Sequence, residues 1–510
     1  MKTAVYVEPK LSQGGSLRGR KSLVHPGWQL GLALILTFST TRAAAFSLLG
    51  PYTGWMAETN GFRQTGDIGG PMNLGEEYRW NVPVVTYAFD ASFLDYFGSA
   101  GVAAVESAIG ILNGLPPASQ INPSNYPAAV TQLNAEAQAQ GLIDLKSETL
   151  FQLVRQLGLA QPTRFTFCLQ SFLITNNTIT GIVIQRNFDP FSIGYSTNVN
   201  DTSYGYSLLH HSTSQGTEAD AVEFPIDPLS DTFTAVADGA LNPGSFYTGL
   251  TRDDVGGVRY LLTTNNVNDE TLLPGTHGVG VNAGSFVNEA MRRGVDKITF
   301  VRVNVDPLSG QLYTPFTNQF TDSFISNGVP AHQSLERVIT RPDILFSAAD
   351  FGTLPVPLVV STSTSNWLAS PLPGLAGPGV IQPQVMLTFV KPSFQVQTSD
   401  TWPAGTAYVE NYHWGSFDGS TNPPMVYPGG TSLVNTNQLT VYFSLLGPNG
   451  IPSPSFTWQL PVSLGQSATL QTSTNLSDWV PLAVVANYGM EINWQHTHSQ
   501  PQGFFRIVPQ

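Results

Sequence analysis

Cysteine is almost absent from this sequence. Cys168 is the only one among 510 residues, so no internal disulfide can form. It lies between alternating aromatic residues in RFTFCLQSF, a pattern that predicts a buried strand residue rather than a reactive thiol. Charge is also scarce, since Asp, Glu, Lys and Arg make up 11% of the chain, against roughly 25% in a typical soluble domain. Ser, Thr, Asn and Gln must therefore supply most of the hydrated surface, which suits an exported, β-rich protein.

The sequence has no apolar run of the roughly 20 residues that a membrane-spanning helix needs. The segment WQLGLALILTF at 28–38 is shorter, follows a basic stretch and precedes the small residues at 43–45. This order is typical of an export signal with cleavage after Ala45, and a single membrane anchor is the alternative. We therefore expect a bacterial protein that is secreted, or held at the cell surface or in the periplasm, and not an integral membrane protein after cleavage.

The charge balance excludes two classes of partner. Cleavage would remove six of the 22 basic residues and one of the 35 acidic residues, so the net charge would fall from −13 to −18. Phosphate backbones and anionic lipids repel a chain this acidic, so we expect neither nucleic acid nor anionic membrane as a partner.

The motifs of common enzyme classes are missing. The sequence has no HExxH zinc motif, no GxSxG nucleophile elbow and no CxxC pair. The glycines of HGVGVNAGS at 277–285 are spaced one residue too widely for a dinucleotide fingerprint, so we interpret this segment as a turn before a helix. We assign no catalytic, cofactor-binding or metal-ligating residue, and an enzyme is the less favoured hypothesis.

Periodicity predicts an α+β N-terminal domain, with an antiparallel sheet and several helices, followed by one or two all-β sandwich modules. The predicted helices are one capped by Ser99 and ended by Gly114, then 127–140, 147–157, 250–262 and 285–293. Short antiparallel strands are expected from 164 to about 235. The predicted organisation is a signal peptide at 1–45, an irregular segment at 46–80, the α+β domain at 81–360, a linker at 361–379, and β-modules at 380–450 and 455–510.

The segment LFQLVRQLGLAQP at 150–162 has the spacing of the metzincin zinc-binding helix, HExxHxxGLxH. Phe151, Arg155 and Gln161 stand at the three histidine positions, and Gln152 at that of the glutamate. The strand and helix within 82–113 and LTRDDVGGVRYLL at 250–262 resemble the opening strand, first helix and closing helix of matrixin-type metallopeptidases. Thr251 and Asp254 form a capping pair in the last of these pieces.

This resemblance implies an α+β fold in which three histidines hold zinc and a glutamate acts as base. Phe151 has no lone pair for a metal, Arg155 carries a permanent positive charge, and Gln152 cannot accept the proton of a metal-bound water. We therefore predict a metzincin-like fold without the zinc motif. An ordinary helix with an apolar core face, ended by Gly158 in the left-handed conformation, explains the same segment without catalytic ancestry.

A second resemblance lies at the C-terminus. LQTSTNLSDWVPLAVV at 470–485, followed by FFRI at 504–507, resembles a small terminal β-module common in large exported proteins of environmental bacteria. In that family a strand pair is closed by an aromatic-Arg strand. The resemblance implies display or secretion and carries no catalytic residue.

Weak ligand-binding candidates lie in ENYHWGSFDG at 410–419, and they are Tyr412, His413, Trp414 and Phe417. Aromatic rings beside polar groups suit a sugar-binding face, although a sandwich core explains Trp414 equally well. No cofactor is predicted, but the oxygen-rich turn NNVNDE at 265–270 makes calcium a candidate ligand. Two histidine pairs are weaker metal or acid–base candidates, namely His496 with His498, and His210 and His211 with Glu218, Asp220 and Glu223.

These observations favour an exported, non-catalytic protein that binds or displays something, with an extracellular glycan or envelope component as its partner. A metallopeptidase-like hydrolase, degenerate or using an unrecognised metal site around His210, His211 and Glu218, is the alternative. A structural envelope component is a further one. The sequence leaves the oligomeric state open.

Overall fold

The structure is a computed structural model, and it describes residues 45–64, 66–213, 216–239, 241–349, 359–361, 367–369, 377–391, 395–396, 413–428, 439–446, 452–460, 467–486, 491–497 and 504–509. The predicted signal peptide therefore lies outside the described residues, apart from Ala45. Strands make up 41% of the structure and helices 19%. The helices lie in the N-terminal part and the later residues form sheets, which confirms the predicted class of an α+β part followed by β-sheets. None of the helices in the described ranges is long and apolar enough to cross a membrane.

Four α-helices occur in the described chain: α1 (Ala91–Asn113), α2 (Ala135–Ala139), α3 (Leu145–Gln156) and α4 (Arg252–Leu262). The capping pair predicted for α4 is present, since the Asp254 carboxylate accepts from the Thr251 backbone N–H at 2.9 Å and Thr251 Oγ1 accepts from the Asp254 N–H. Helix α1 starts earlier than predicted because Asp90, not Ser99, accepts a hydrogen bond from the first-turn N–H of Phe93 at 3.0 Å.

The glycine predicted to end α3 does so. Gly158 has a φ of +113°, in the left-handed region that favours glycine. A Cβ at this position would lie 2.4 Å from the backbone oxygen of Tyr78, so the close approach of these two backbone segments also requires glycine.

The strands before residue 350 are β1 (Phe46–Gly50), β2 (Gly70–Met72), β3 (Tyr78–Arg79), β4 (Val84–Phe89), β5 (Thr131–Leu133), β6 (Leu142–Asp144), β7 (Leu159–Ala160), β8 (Cys168–Thr175), β9 (Thr178–Ile184), β10 (Asn187–Phe188), β11 (Asn198–Val199), β12 (Thr202–Thr213), β13 (Gly216–Pro225), β14 (Ser245–Tyr247), β15 (Val267–Thr271), β16 (Thr276–Gly278), β17 (Glu289–Arg293), β18 (Thr299–Arg302), β19 (Phe316–Ser326), β20 (Val329–Ile339) and β21 (Ile344–Ala349). The later strands are β22 (Val359–Ser361), β23 (Trp367–Ala369), β24 (Gly379–Ile381), β25 (Val385–Val390), β26 (Gln395–Val396), β27 (His413–Ser416), β28 (Met425–Val426), β29 (Leu439–Leu446), β30 (Pro452–Leu460), β31 (Ser467–Ser473), β32 (Val480–Ala486), β33 (Glu491–Thr497) and β34 (Phe504–Pro509).

The central sheet has the order β18-β4-β21-β25-β22. Its first four strands are parallel, and β22 runs antiparallel at the edge. Helix α1 packs on this sheet through aromatic rings, with Phe93 and Phe97 of α1 lying 5.8 and 5.7 Å from Phe389 of β25. Parallel strands buried by a helix in this way account for the continuous apolar runs of β4 and β21.

The predicted domain boundaries are wrong around residues 361–450. Strand β25 belongs to the central sheet, β24 pairs with β3, and β27 pairs with β6, so these three strands complete the α+β part rather than a separate sandwich. The predicted linker contains β23, which pairs with β24. The predicted division near residue 450 also falls inside one sheet, because β29 and β30 are hydrogen-bonded neighbours.

Three other local predictions fail. The segment 46–80 is not irregular, since it contains β1, β2 and β3. The predicted helix at 127–140 shortens to α2, preceded by the strand β5, which pairs with β14. Residues 289–293 of the predicted helix at 285–293 instead form β17, in which Arg292 points into the protein and pairs with Asp322 at 3.2 Å. This long-range ion pair stabilises the strand, and the helical periodicity of the sequence gives no sign of it.

Antiparallel pairing dominates 164–235 as predicted, through the hairpin β8–β9 and the sheet β11-β12-β13. Cys168 begins β8 at 1% exposure, which confirms a buried strand residue, and burial raises the pKa of its thiol. Near the C-terminus, β31 pairs with β32 on one side and with β34 on the other.

Candidate functional site

A cleft of about 620 Å³ opens beside α3. This volume lies within the range of known small-molecule sites. Its walls come from the loop before β2, from α3 and the turn after it, from the hairpin β12–β13, and from Val359 of the edge strand β22. The residues that line it are Glu58, Gly61, Gln64, Gly66, Asp67, Glu148, Phe151, Gln152, Arg155, Gln161, Arg164, His211, Glu218, Ala219, Asp220, Asp238, Gly239 and Val359.

All four positions that the sequence compares with the metzincin ligands and base line this cleft. They are Phe151, Gln152, Arg155 and Gln161. Gln161 follows β7, after the end of the helix. Helix α3 places the other three there because its other face carries Leu150, Leu153 and Val154, all 0% exposed, and Leu157 at 4%. Burial of that apolar stripe in the core turns the opposite face toward the cleft.

Arg155 and Phe151 form one wall of the cleft. The Arg155 guanidinium lies 5.1 Å from the centre of the Phe151 ring, a cation–π distance. The ring packs on Gly239, where a Cβ would lie only 2.3 Å from the Phe151 Cζ atom. Arg155 is 7% exposed, its Nη2 donates to the Gly66 carbonyl at 3.2 Å, and its Nε has no partner among the described residues. Desolvation lowers the pKa of Arg155 to about 10, so it stays charged at neutral pH.

Glu148 lies one helical turn before Gln152. Gln152 Nε2 donates to Glu148 Oε1 at 2.8 Å, whereas Gln152 Oε1 is buried without a donor among the described residues. Burial raises the pKa of Glu148 to about 7, against smaller opposing effects of Gln152 and Arg155. The carboxyl is therefore partly protonated near neutral pH and can donate as well as accept a proton.

The second arginine of the cleft is neutralised by the protein. Arg164 forms a two-pronged ion pair with Asp67, with Nη2 at 3.1 Å from Oδ2, and also donates to the Gly61 carbonyl at 2.7 Å. At the back of the cleft, Asp238 accepts from the Thr163 N–H at 2.9 Å and hydroxyl at 2.8 Å. Desolvation raises the pKa of Asp238 to about 7.

The hairpin β12–β13 brings part of the predicted histidine cluster to the cleft. His211 and Glu218 are cross-strand neighbours, with His211 Nε2 at 3.0 Å from Glu218 Oε2. Asp220 also lines the cleft, and burial raises the pKa of its carboxyl. The lining does not include His210 or Glu223. Within the described ranges no group of three or more His, Cys, Asp or Glu side chains has the geometry to hold a metal ion.

The predicted aromatic candidates do not form an exposed platform. Trp414 is 0% exposed, its ring contacts Phe97 and Phe389, and its Nε1 donates to the Val390 carbonyl at 2.8 Å. His413 is 3% exposed, and its burial lowers its pKa to about 4. Phe417 is half-buried against Phe246, and Tyr412 lies outside the described residues. Trp414 is a core residue because β27 is an internal partner of β6, so it has no free face for a sugar.

The other sequence candidates lie apart from the cleft lining. The proposed calcium turn is not an open loop, since Asn266 and Asn268 donate to Glu77 Oε1 at 2.8 and 2.9 Å and Glu270 pairs with Arg79 at 2.7 Å. His496 lies on β33, and His498 lies outside the described residues.

Sequence reasoning missed Glu148, Asp67 and Arg164 as cleft residues. Glu148 carried a detectable signal, because it precedes Gln152 by four residues and therefore shares its helix face. Asp67 and Arg164 are 97 residues apart, and only the folded chain brings them together. Comparison of the chain with protein-family models, with curated proteins and with solved structures found no match.

Proposed function

We propose that this is an exported, non-catalytic protein that binds an extracellular ligand in the cleft beside α3. The observation that carries the proposal is the convergence of Phe151, Gln152, Arg155 and Gln161 on one ligand-sized cleft. A helix that only filled the core would not need to present Phe151, Gln152 and Arg155 to an opening that Gln161 also lines.

The chemistry of these side chains supports binding over metal catalysis. The charge of Arg155 disfavours a divalent cation, and Gln152 offers an amide where a base would stand. A matrixin-like ancestor that lost its zinc site would leave such a cleft, lined by hydrogen-bonding groups. We propose a metzincin-like origin on this basis.

The ligand that suits the cleft is polar. Its lining combines arginines, glutamines and carboxylates, and the one large aromatic ring, Phe151, is 7% exposed. A glycan of the extracellular medium or the envelope fits such a surface, because its hydroxyls can both donate and accept. We therefore propose the α3 cleft, and not Trp414, as the sugar-binding site.

A glycan array probed with the protein tests this proposal. Gln64→Trp places a bulky ring at an exposed rim position of the cleft, and Gln120→Trp makes the same change at an exposed position outside it. We expect the wild type and Gln120→Trp to retain the same glycans, with or without EDTA, and Gln64→Trp to lose them. Retention by all three proteins, or by none, would reject the cleft as a glycan site.

One observation favours a hydrolase as the second candidate. Glu148 titrates near neutral pH in the same cleft as the pair formed by His211 and Glu218, so an acid and a base share one opening. This candidate predicts turnover of glycoside or peptide substrates that is lost in His211→Ala. Binding without turnover in the wild type would leave the non-catalytic proposal in place.

A further inference from the structure

Arg155 differs from the other deeply buried arginines of the described chain. The four others are at most 5% exposed. Each pairs with a carboxylate: Arg79 with Glu270, Arg252 with Asp201, Arg292 with Asp322, and Arg337 with Asp343. Arg155 is 7% exposed and has no carboxylate within ion-pair distance among the described residues. A buried cation without a carboxylate partner destabilises the folded state, so folds rarely retain one without a use for it.

Asp67 and Glu148 are the two carboxylates with the largest electrostatic effect on Arg155, and neither forms an ion pair with it. Both carboxylate oxygens of Asp67 are bound by Arg164. Glu148 shares its Oε1 with Gln152 and carries only a fractional charge at neutral pH, because burial raises its pKa to about 7. The wall of the cleft therefore presents a buried guanidinium that pairs directly with no carboxylate of the described residues.

A second polar group on the same wall lacks a partner. Gln152 is 3% exposed, and its Oε1 has no donor among the described residues. Gln152 and Arg155 are three residues apart on α3 and so lie side by side. Arg155 can bind a negative group, and Gln152 Oε1 can accept from a hydrogen-bond donor beside it, so the ligand that fits them carries both groups next to each other.

The rim of the cleft limits the ligand to one negative charge. Glu58, Glu218 and Asp220 all line the cleft, and their carboxylates would repel a second anionic group. A sugar acid at the end of a glycan has the required combination, a single carboxylate beside ring hydroxyls.

We propose that the cleft seats the carboxylate of a terminal uronic acid residue on Arg155, with a neighbouring hydroxyl directed to Gln152. This assignment rests on the proposed glycan-binding function and names the group that the site recognises. Charge-assisted hydrogen bonds from a guanidinium to a carboxylate are among the strongest that a cleft can offer.

Isothermal titration with three small probes tests the assignment: methyl glucuronide, methyl glucoside and N-acetylglycylglycine. Arg155→Met keeps the aliphatic stem over Phe151 and removes the charge, whereas Arg155→Lys keeps the charge. Arg506→Met is the matched control, because Arg506 also lies over an aromatic ring, that of Trp479, but does not line the cleft. We expect glucuronide to bind the wild type and Arg506→Met equally, and to bind Arg155→Met about 10- to 100-fold more weakly. Arg155→Lys should recover part of the loss, and methyl glucoside should bind weakly to every variant.

The outcomes separate this inference from the function on which it rests. Equal binding of glucoside and glucuronide, unchanged in Arg155→Met, would reject carboxylate binding by Arg155. It would not reject glycan binding in the cleft. Binding of N-acetylglycylglycine in place of glucuronide, lost in Arg155→Met, would assign the seat to a peptide carboxyl end and overturn the sugar acid. Binding of no probe, together with a negative glycan array, would reject both proposals. If Arg155→Met fails to fold, Arg155→Lys still decides: weaker binding of glucuronide with unchanged binding of glucoside supports the assignment, and unchanged binding of both sugars overturns it.

Discussion

Replacing Glu148 with Gln should stabilise the protein, and the gain should depend on pH. Glu148 is 7% exposed, and burial raises its pKa from 4.5 to about 7. Gln has the same shape, and its Oε1 can accept the hydrogen bond from Gln152 that Glu148 accepts at 2.8 Å. The substitution therefore removes the titrating group and leaves the packing and this hydrogen bond in place.

The sign follows from the direction of the shift. A carboxyl with a raised folded-state pKa holds its proton more tightly in the folded than in the unfolded chain, so it favours folding when both states are protonated. That contribution is complete below the unfolded pKa of 4.5 and is lost as the pH rises toward about 7. The loss corresponds to about 3 kcal/mol if the unfolded chain has the ordinary pKa.

Urea unfolding of the wild type and Glu148→Gln from about pH 4 to about pH 8 measures this difference. We expect the two to be equally stable at the acid end, and the variant to gain stability relative to the wild type across the interval until the difference levels off above pH 7. Asp144 and Asp238, whose pKa values burial raises to about 6 and about 7, titrate in both proteins and cancel in the difference. Glu136→Gln, at an exposed position of α2, is the matched control and should show no such trend. A stability difference that is independent of pH, or a variant that loses stability relative to the wild type as the pH rises, would refute the burial of a neutral carboxyl in the cleft.

Three further predictions concern stability. Trp414→Ala should cost about 3–5 kcal/mol in urea unfolding, because a fully buried ring is removed; a loss below about 1 kcal/mol would restore Trp414 as an exposed candidate. Gly158→Ala should cost at least about 1 kcal/mol, because the left-handed φ and the 2.4 Å approach to Tyr78 both oppose a Cβ, and an unchanged unfolding midpoint would contradict that end of α3. Thr251→Ala should cost about 1 kcal/mol through loss of the cap that Asp254 shares, while Thr251→Ser should retain most of that stability; equal effects of the two changes would show that the hydroxyl is not the capping group.

Local signals predicted the helices that shape the site. The apolar spacing of Leu150, Leu153, Val154 and Leu157 predicted α3, and Gly158 predicted its end, because both depend only on neighbouring residues. The capping pair of Thr251 and Asp254 predicted α4 for the same reason. Local patterns of this kind predict the folded structure correctly when tertiary contacts favour the same element, as the buried face of α3 shows.

Long-range pairing accounts for the failures. Trp414 is buried because β27 pairs with β6, about 270 residues earlier in the chain, and no local pattern reports that partner. The segment 285–293 has helical spacing, but the ion pair of Arg292 with Asp322 and pairing with β15 and β19 make residues 289–293 a strand. The domain boundary near 361–379 was misplaced because Pro- and Gly-rich composition marks turns within a domain as well as linkers between domains.

The candidate site was only half accessible to sequence reasoning. The sequence indicates the three α3 positions with Gln161, and also the pair His211 and Glu218, but on separate grounds. Their convergence depends on the register of the hairpin β12–β13, which sets His211 opposite Glu218, and on the packing of that hairpin near α3. The sequence does not predict that Arg155 lacks a direct carboxylate partner among the described residues, since this depends on Asp67 being bound by Arg164.

The central claim is that the α3 cleft binds a glycan without a metal. The most direct test is a calorimetric titration of a glycan retained on the array into the wild type and Gln64→Trp, each in EDTA and then in zinc. We predict saturable binding of one glycan per wild-type chain that is the same in EDTA and in zinc, and no measurable binding to Gln64→Trp. Binding that requires zinc, or that persists in Gln64→Trp, would contradict the account.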